Sequence, residues 1–185
     1  MPKIEESTVI QGLFTMEPDV YGDERGRFME TFRREWFPQR SWERVQMNRS
    51  ESIQNVVRGL HYHYHQVDYW FVMAGMIRAA LVDIRPNSPT FKQTLTVDMG
   101  DDNRIGLFIP VGVAHGFNTL SERVLLTYVV DNYYDKSDEF GIAWDDPDLA
   151  IDWGIPHSQA IISQRDATNP RLKEADLSHY AANLV

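Results

Sequence analysis

The chain has no cysteine among its 185 residues. That excludes disulfide staples, thiolate metal ligation and a cysteine nucleophile. It also fits a reducing compartment such as the cytoplasm. No apolar run approaches the roughly 18 residues of a membrane span. The N-terminal MPKIEESTVIQGLF lacks the apolar core of a secretion signal. Positive charge is scarce: 18 basic residues stand against 27 acidic ones, a formal net charge of −9. Such a chain is a poor binder of nucleic acid, so an anionic ligand must be held by a local group of arginines. There is no internal repeat and no low-complexity linker.

What is present suffices for one domain. The chain is 43% hydrophobic, enough to build a core, and its length suits one domain rather than two. Short alternating segments predict strands over Thr8–Glu17, Arg27–Phe32, Arg44–Ser50, Ile77–Ile84, Phe91–Met99, Arg104–Pro110 and Arg123–Asn132. Pro18–Gly26 reads as a loop dense in glycine and charge, and Gly100–Asn103 as a turn. Helical signal is confined to a short piece in Arg34–Trp42, broken at Pro38, and to Asp176–Asn183 at the C-terminus. Many short strands with closely spaced turns and little helix predict an all-β sandwich or barrel.

Val57–Gly75, VRGLHYHYHQVDYWFVMAG, carries the densest chemistry. In an extended strand His61, His63 and His65 fall on one face, with Tyr62 and Tyr64 on the other. Imidazoles facing a barrel interior need partners or a ligand, because unpaired buried polar groups are costly. Asp68 follows closely, and His115 belongs to the same cavity if the sheet closes.

Further motifs are RGLHY (Arg58–Tyr62), Val82–Arg85 with Ser88–Phe91, and PVGVAHGF (Pro110–Phe117). With them stand Tyr21–Gly26, Tyr133-Tyr134, Gly141-Ile142, Trp144–Pro147 and Ser163–Asp166. Together they resemble the dTDP-4-dehydrorhamnose 3,5-epimerase family. The likeness implies a single domain over 1–185, a cupin-type double-stranded β-helix (jelly-roll) barrel with a short C-terminal helical tail. It implies a cytoplasmic homodimer, with residues 1–20 a candidate for strand exchange between subunits. It implies no metal and no cofactor. The implied chemistry is epimerisation of a nucleotide-linked 4-keto-6-deoxy sugar at C3, C5 or both. That needs a base on one face of the sugar and an acid on the other. His61 matches the base, Asp166 the carboxylate that orients it, and Tyr134 the acid. Arg25 and Arg58 match diphosphate clamps, a role suited to planar guanidinium donors. Tyr21, Glu30, Gln46, Asn48, His63, Asp68, His115, Tyr128 and Glu139 match further nucleotide- or sugar-site positions.

One position departs from the family. Its segment Gln-x-Lys reads Gln66-Val67-Asp68 here, after a shorter loop. A lysine would hold the charge that develops on the sugar O4 as an enolate forms; an aspartate would repel it. The same residues also fit a metal-dependent cupin using His61, His63, Asp68 and His115. A third reading is a sugar-nucleotide-binding protein without catalysis, which needs no lysine.

Overall fold

The computed structural model describes residues 1–182. Thirteen strands appear in chain order: β1 (Lys3–Glu6), β2 (Phe14–Glu17), β3 (Val20–Asp23), β4 (Gly26–Met29), β5 (Gln46–Ile53), β6 (Val57–Tyr62), β7 (Asp68–Ala74), β8 (Met76–Asp83), β9 (Thr94–Gly100), β10 (Gly106–Ile109), β11 (Val113–Thr119), β12 (Arg123–Val130) and β13 (Phe140–Gly141). Two short helices follow, α1 (Gln164–Ala167) and α2 (Ser178–Ala182). Among the described residues no helix is long and apolar enough to cross a membrane.

The strands form a jelly roll. One sheet runs β1-β2-β10-β7-β12-β5, and the other β13-β6-β11-β8-β9. Their inner faces enclose a core of Trp70, Val72, Ile77, Ala79, Leu81, Leu107, Phe117, Val124 and Leu126. Period-two alternation explains the near-continuous apolar runs of β7 and β8, because both faces are covered. Trp70 and Val72 point into the central core, while Tyr69 and Phe71 point outward onto Phe37 and Trp42. Likewise Ala80 and Val82 face outward, under Trp144, Leu149, Trp153, Leu172 and Tyr180 of the C-terminal tail. The tail is thus a cover for one sheet.

Several expectations are corrected. The strand expected over Thr8–Glu17 breaks at a turn over 11–12, where Gly12 takes φ +80°; only Phe14–Glu17 is extended, and β1 pairs with it antiparallel. The loop expected over Pro18–Gly26 is largely a hairpin, β3–β4, with Glu24 and Arg25 at its tip. Asp23 Oδ1 accepts the Arg25 N–H at 2.9 Å, a local turn bond that substitutes for a tight Asn-Gly turn. The helical piece shrinks to one 3-10 turn over Arg34–Trp36. The C-terminal helix covers Ser178–Ala182 of the expected Asp176–Asn183; Asn183 lies outside the described residues.

Candidate active site

Strand β6 is where the sheet is bent to make a site. His61 pairs with His115 and Arg58 with Phe117, so β6 spends three residues where β11 spends two. That extra residue is a β-bulge, which re-aims side chains. It puts both Arg58 and His61 on the cavity wall, while Leu60 and Tyr62 turn to the outer core. Gly59 sits in the bulge with φ +110°, and a Cβ there would lie 2.6 Å from the His115 carbonyl oxygen. Only glycine permits that approach.

The cavity opens between the sheets and has a volume of about 530 Å³. It brings together ten of the fourteen residues expected from sequence: Gln46, Asn48, Arg58, His61, His63, Asp68, His115, Tyr128, Tyr134 and Glu139. Asp166 stands behind His61. Its Oδ1 lies 2.7 Å from His61 Nε2, and its Oδ2 accepts the Gly59 N–H at 3.2 Å. Ser163 caps α1 by accepting the Asp166 N–H at 3.0 Å, which fixes the carboxylate in the first turn. Partial burial pushes the Asp166 carboxyl up, but the His61 and Gly59 hydrogen bonds outweigh it and hold it below the usual carboxylate range. An ionised carboxylate can only accept, so His61 donates through Nε2–H. In the neutral ring the lone pair is then on Nδ1.

A second histidine–carboxylate group lies in the same cavity. Asp68, at the start of β7, is 3% exposed. Its nearest imidazole atoms are His63 Nε2 at 3.9 Å and His115 Nε2 at 3.8 Å. Gln66 Nε2 and Trp70 Nε1 donate to its two oxygens at 3.0 and 3.1 Å. Burial pushes Asp68 up, but His115, His63 and these donors hold it below the carboxylate range. Burial pushes His115 down to about 4, against the opposing pull of Asp68. Tyr128 is raised by burial and then by Asp68 and Glu139, so its hydroxyl stays protonated at neutral pH.

The expected single face of three histidines is corrected. The chain leaves β6 after Tyr62, and His65 is 64% exposed, 3.5 Å from Asp138. Asp138 makes this turn: its carboxylate accepts the N–H groups of Tyr64 and His65 at 2.7 and 3.1 Å, and its carbonyl lies 2.8 Å from His63 Nδ1. Tyr180 of α2 donates to the His63 carbonyl at 2.6 Å, pinning the loop from the tail. The four-residue metal set is corrected too. His61 is engaged by Asp166, and the atoms that converge are those of His63, Asp68 and His115 alone.

Tyr21, Arg25 and Glu30 are not in this cavity. Tyr21 and Arg25 belong to the exposed β3–β4 hairpin, where Arg25 pairs with Asp23. Glu30 accepts from Arg33 Nε at 2.9 Å. Sequence reasoning missed Gln66, Trp70 and Arg165, which do line the cavity. Arg165 reaches Glu139 at 3.3 Å. Its signal was available: a lone arginine beside Asp166 in the segment that matched the family.

Fold and site define a cupin-type barrel with a hydrogen-bonded histidine–aspartate pair beside a polar cavity. The family model described as dTDP-4-dehydrorhamnose 3,5-epimerase matches residues 7–174. A dTDP-4-dehydrorhamnose 3,5-epimerase of Methanothermobacter thermautotrophicus is 40% identical, over 90% of this chain and 93% of its own. One of Shigella flexneri is 38% identical, over 91% and 96%. The crystal structure of dTDP-6-deoxy-D-glucose-3,5-epimerase from Legionella pneumophila, in complex with dTDP-4-keto-L-rhamnose, superposes with a TM-score of 0.89 at 37% identity, covering 97% of each chain. The chain belongs to the dTDP-4-dehydrorhamnose 3,5-epimerase family, and the protein is an isomerase.

Proposed function

We propose that the protein epimerises a dTDP-linked 4-keto-6-deoxy sugar at C3, C5 or both, in deoxysugar biosynthesis. The observation that carries this is the 2.7 Å contact of His61 Nε2 with Asp166 on a cavity that also holds Tyr134 and Arg58. A proton on a carbon beside a ketone is acidic because the resulting carbanion delocalises onto the carbonyl oxygen. His61 Nδ1 takes that proton, and Asp166 stabilises the imidazolium that forms. The electron pair moves onto O4 as an enolate. Tyr134 returns a proton to the opposite face of the same carbon, which inverts it. Proton exchange with water resets both groups.

Tyr134 is tied to the edge strand, which supports this role. Its N–H donates to Gln46 Oε1 at 3.0 Å, and Gln46 Nε2 donates to Asn48 Oδ1 at 2.8 Å. Arg58 donates through Nε to Ser52 Oγ at 3.1 Å and through Nη2 to the Glu51 carbonyl at 3.3 Å, and its other N–H groups serve the diphosphate. The working unit is a cytoplasmic homodimer. The exposed β3–β4 hairpin carries Tyr21, Arg25 and Phe28 away from its own cavity. In the dimer it crosses to the partner, where Tyr21 and Arg25 complete the nucleotide site and Glu30 flanks it. The test is incubation with the dTDP-linked 4-keto-6-deoxy sugar in D₂O, read by NMR. Deuterium at C3, C5 or both is expected. Nucleotide binding without any deuterium would overturn the reading in favour of a binding protein.

A further inference from the structure

The cavity asks for an electrophile at O4, and no lysine lines it. Three of the residues that line it form an arrangement with its own logic. His63 Nδ1 lies 2.8 Å from the Asp138 carbonyl, and His115 Nδ1 lies 3.0 Å from the Val113 carbonyl. Carbonyl oxygens only accept, so both rings carry their proton on Nδ1. The other ring nitrogen of each, Nε2, faces Asp68, at 3.9 and 3.8 Å. These distances exceed the roughly 3.2 Å reach of a direct hydrogen bond. All three residues are buried, at 7, 3 and 5% exposure for His63, Asp68 and His115. Three potential ligand atoms therefore converge, within 4.8 Å of one another. With both rings neutral, two nitrogen lone pairs and a carboxylate meet at one point, an arrangement that a cation at their centre stabilises.

We infer that His63 Nε2, an Asp68 oxygen and His115 Nε2 form a three-point site for one divalent first-row transition-metal ion of the Zn²⁺, Co²⁺ or Fe²⁺ class. Two imidazoles and one carboxylate are the donor set such borderline ions take when they keep positions open for substrate. Bond lengths of about 2.1 Å imply ligand–ligand edges of about 3.4 Å in a tetrahedral site. Closing the observed separations needs small side-chain shifts only. Each ligand is already oriented from behind: His63 by Asp138, His115 by Val113, Asp68 by Gln66 and Trp70. His61 is outside the set because Asp166 holds its Nε2. All three ligands line the cavity that His61 serves. Resting on the epimerase reading above, the ion's open positions take the sugar's keto oxygen and stabilise the enolate charge.

The experiment uses the full chain, untagged. Elemental analysis after purification without chelators is expected to show about one transition metal per chain. Chelator-stripped protein titrated calorimetrically with Zn²⁺, and with Mg²⁺ as control, is expected to bind one Zn²⁺ and no Mg²⁺. Asp68→Asn and His115→Gln should each weaken Zn²⁺ binding at least about 100-fold, with the circular dichroism of the stripped protein unchanged. The two variants guard against loss of fold in either one. Absence of saturable Zn²⁺ binding in the wild type, or undiminished binding in both variants, overturns the site. Deuterium exchange that is as fast in stripped as in loaded protein overturns the ion's part in the reaction and leaves the epimerase reading standing. No exchange in either form overturns the epimerase reading, while the titration still decides the site.

Discussion

Two histidine–carboxylate groups lie along one wall of one cavity, and they are built differently. In the first, His61 Nε2 and Asp166 Oδ1 touch at 2.7 Å. In the second, His63 and His115 turn their Nδ1–H groups to backbone carbonyls and stand 3.8–3.9 Å from Asp68. On the proposed reading, the same residue types serve two chemistries because of which ring nitrogen the backbone or carboxylate claims. A carboxylate in contact makes an oriented base that moves a proton. A carboxylate held off by two lone pairs makes a gap shaped for a cation. Sequence separation does not distinguish them, since His61 and His63 are two residues apart.

The contrast can be broken one group at a time. The largest effect is expected from His61→Asn, which removes the base: turnover should fall about 100- to 10,000-fold. Metal binding should be unchanged in that variant, and calorimetry on the protein used for the rate assay checks both halves. Next comes Arg58→Ala, which leaves both groups intact and removes a diphosphate donor. Its guanidinium is exposed, so affinity for dTDP should fall by about 1.5–3 kcal/mol, the range for a charge-assisted hydrogen bond. Titration calorimetry would show it, with the His61-dependent exchange retained at saturating substrate. Asp166→Asn keeps an acceptor for Nε2–H and removes the charge. Turnover should drop about 10- to 100-fold, the usual worth of a partner that orients an imidazole.

The smallest effect on the site is expected from Asp83→Asn, because Asp83 is a carboxylate satisfied without any histidine. It is fully buried and accepts from Arg85, Ser88 and Thr90. Burial pushes its carboxyl up, but the Arg85, Ser88 and Thr90 hydrogen bonds outweigh that and hold it below the usual range. A depressed folded value means its stabilisation is full above the unfolded carboxylate value. It is lost as pH falls through the folded value. The variant should therefore show an acid limb shallower by up to about 1.4 kcal/mol per pH unit, one proton's worth. Chemical denaturation across acidic pH would measure it, with exchange at C3 and C5 unaffected at neutral pH.

The parts of this wall that could be read in the sequence are those that depend on period-two geometry. Alternation alone places His61 and His63 on one face and Tyr62 on the other, and the structure agrees. Asp166 is 105 residues from His61, so no local pattern links them; the matched family motif did. His65 failed because the turn after Tyr62 is imposed by Asp138, more than 70 residues away. Burial-based reasoning had nothing to hold on the β3–β4 hairpin, whose residues are nearly all exposed and so show no apolar face. The bulge at Gly59 escaped for a different reason: register is a property of two strands, and a single strand's sequence does not state it.

The central claim is that Asp166 takes the Nε2 proton of His61, leaving Nδ1 as the base, while His63 and His115 present Nε2. Long-range ¹⁵N–¹H correlation spectra of the metal-stripped protein at neutral pH report the tautomer of each assigned histidine. The account predicts an Nε2–H tautomer for His61 and Nδ1–H tautomers for His63 and His115. An Nδ1–H tautomer at His61 would contradict it, because the nitrogen left to take a proton would then be the one facing Asp166.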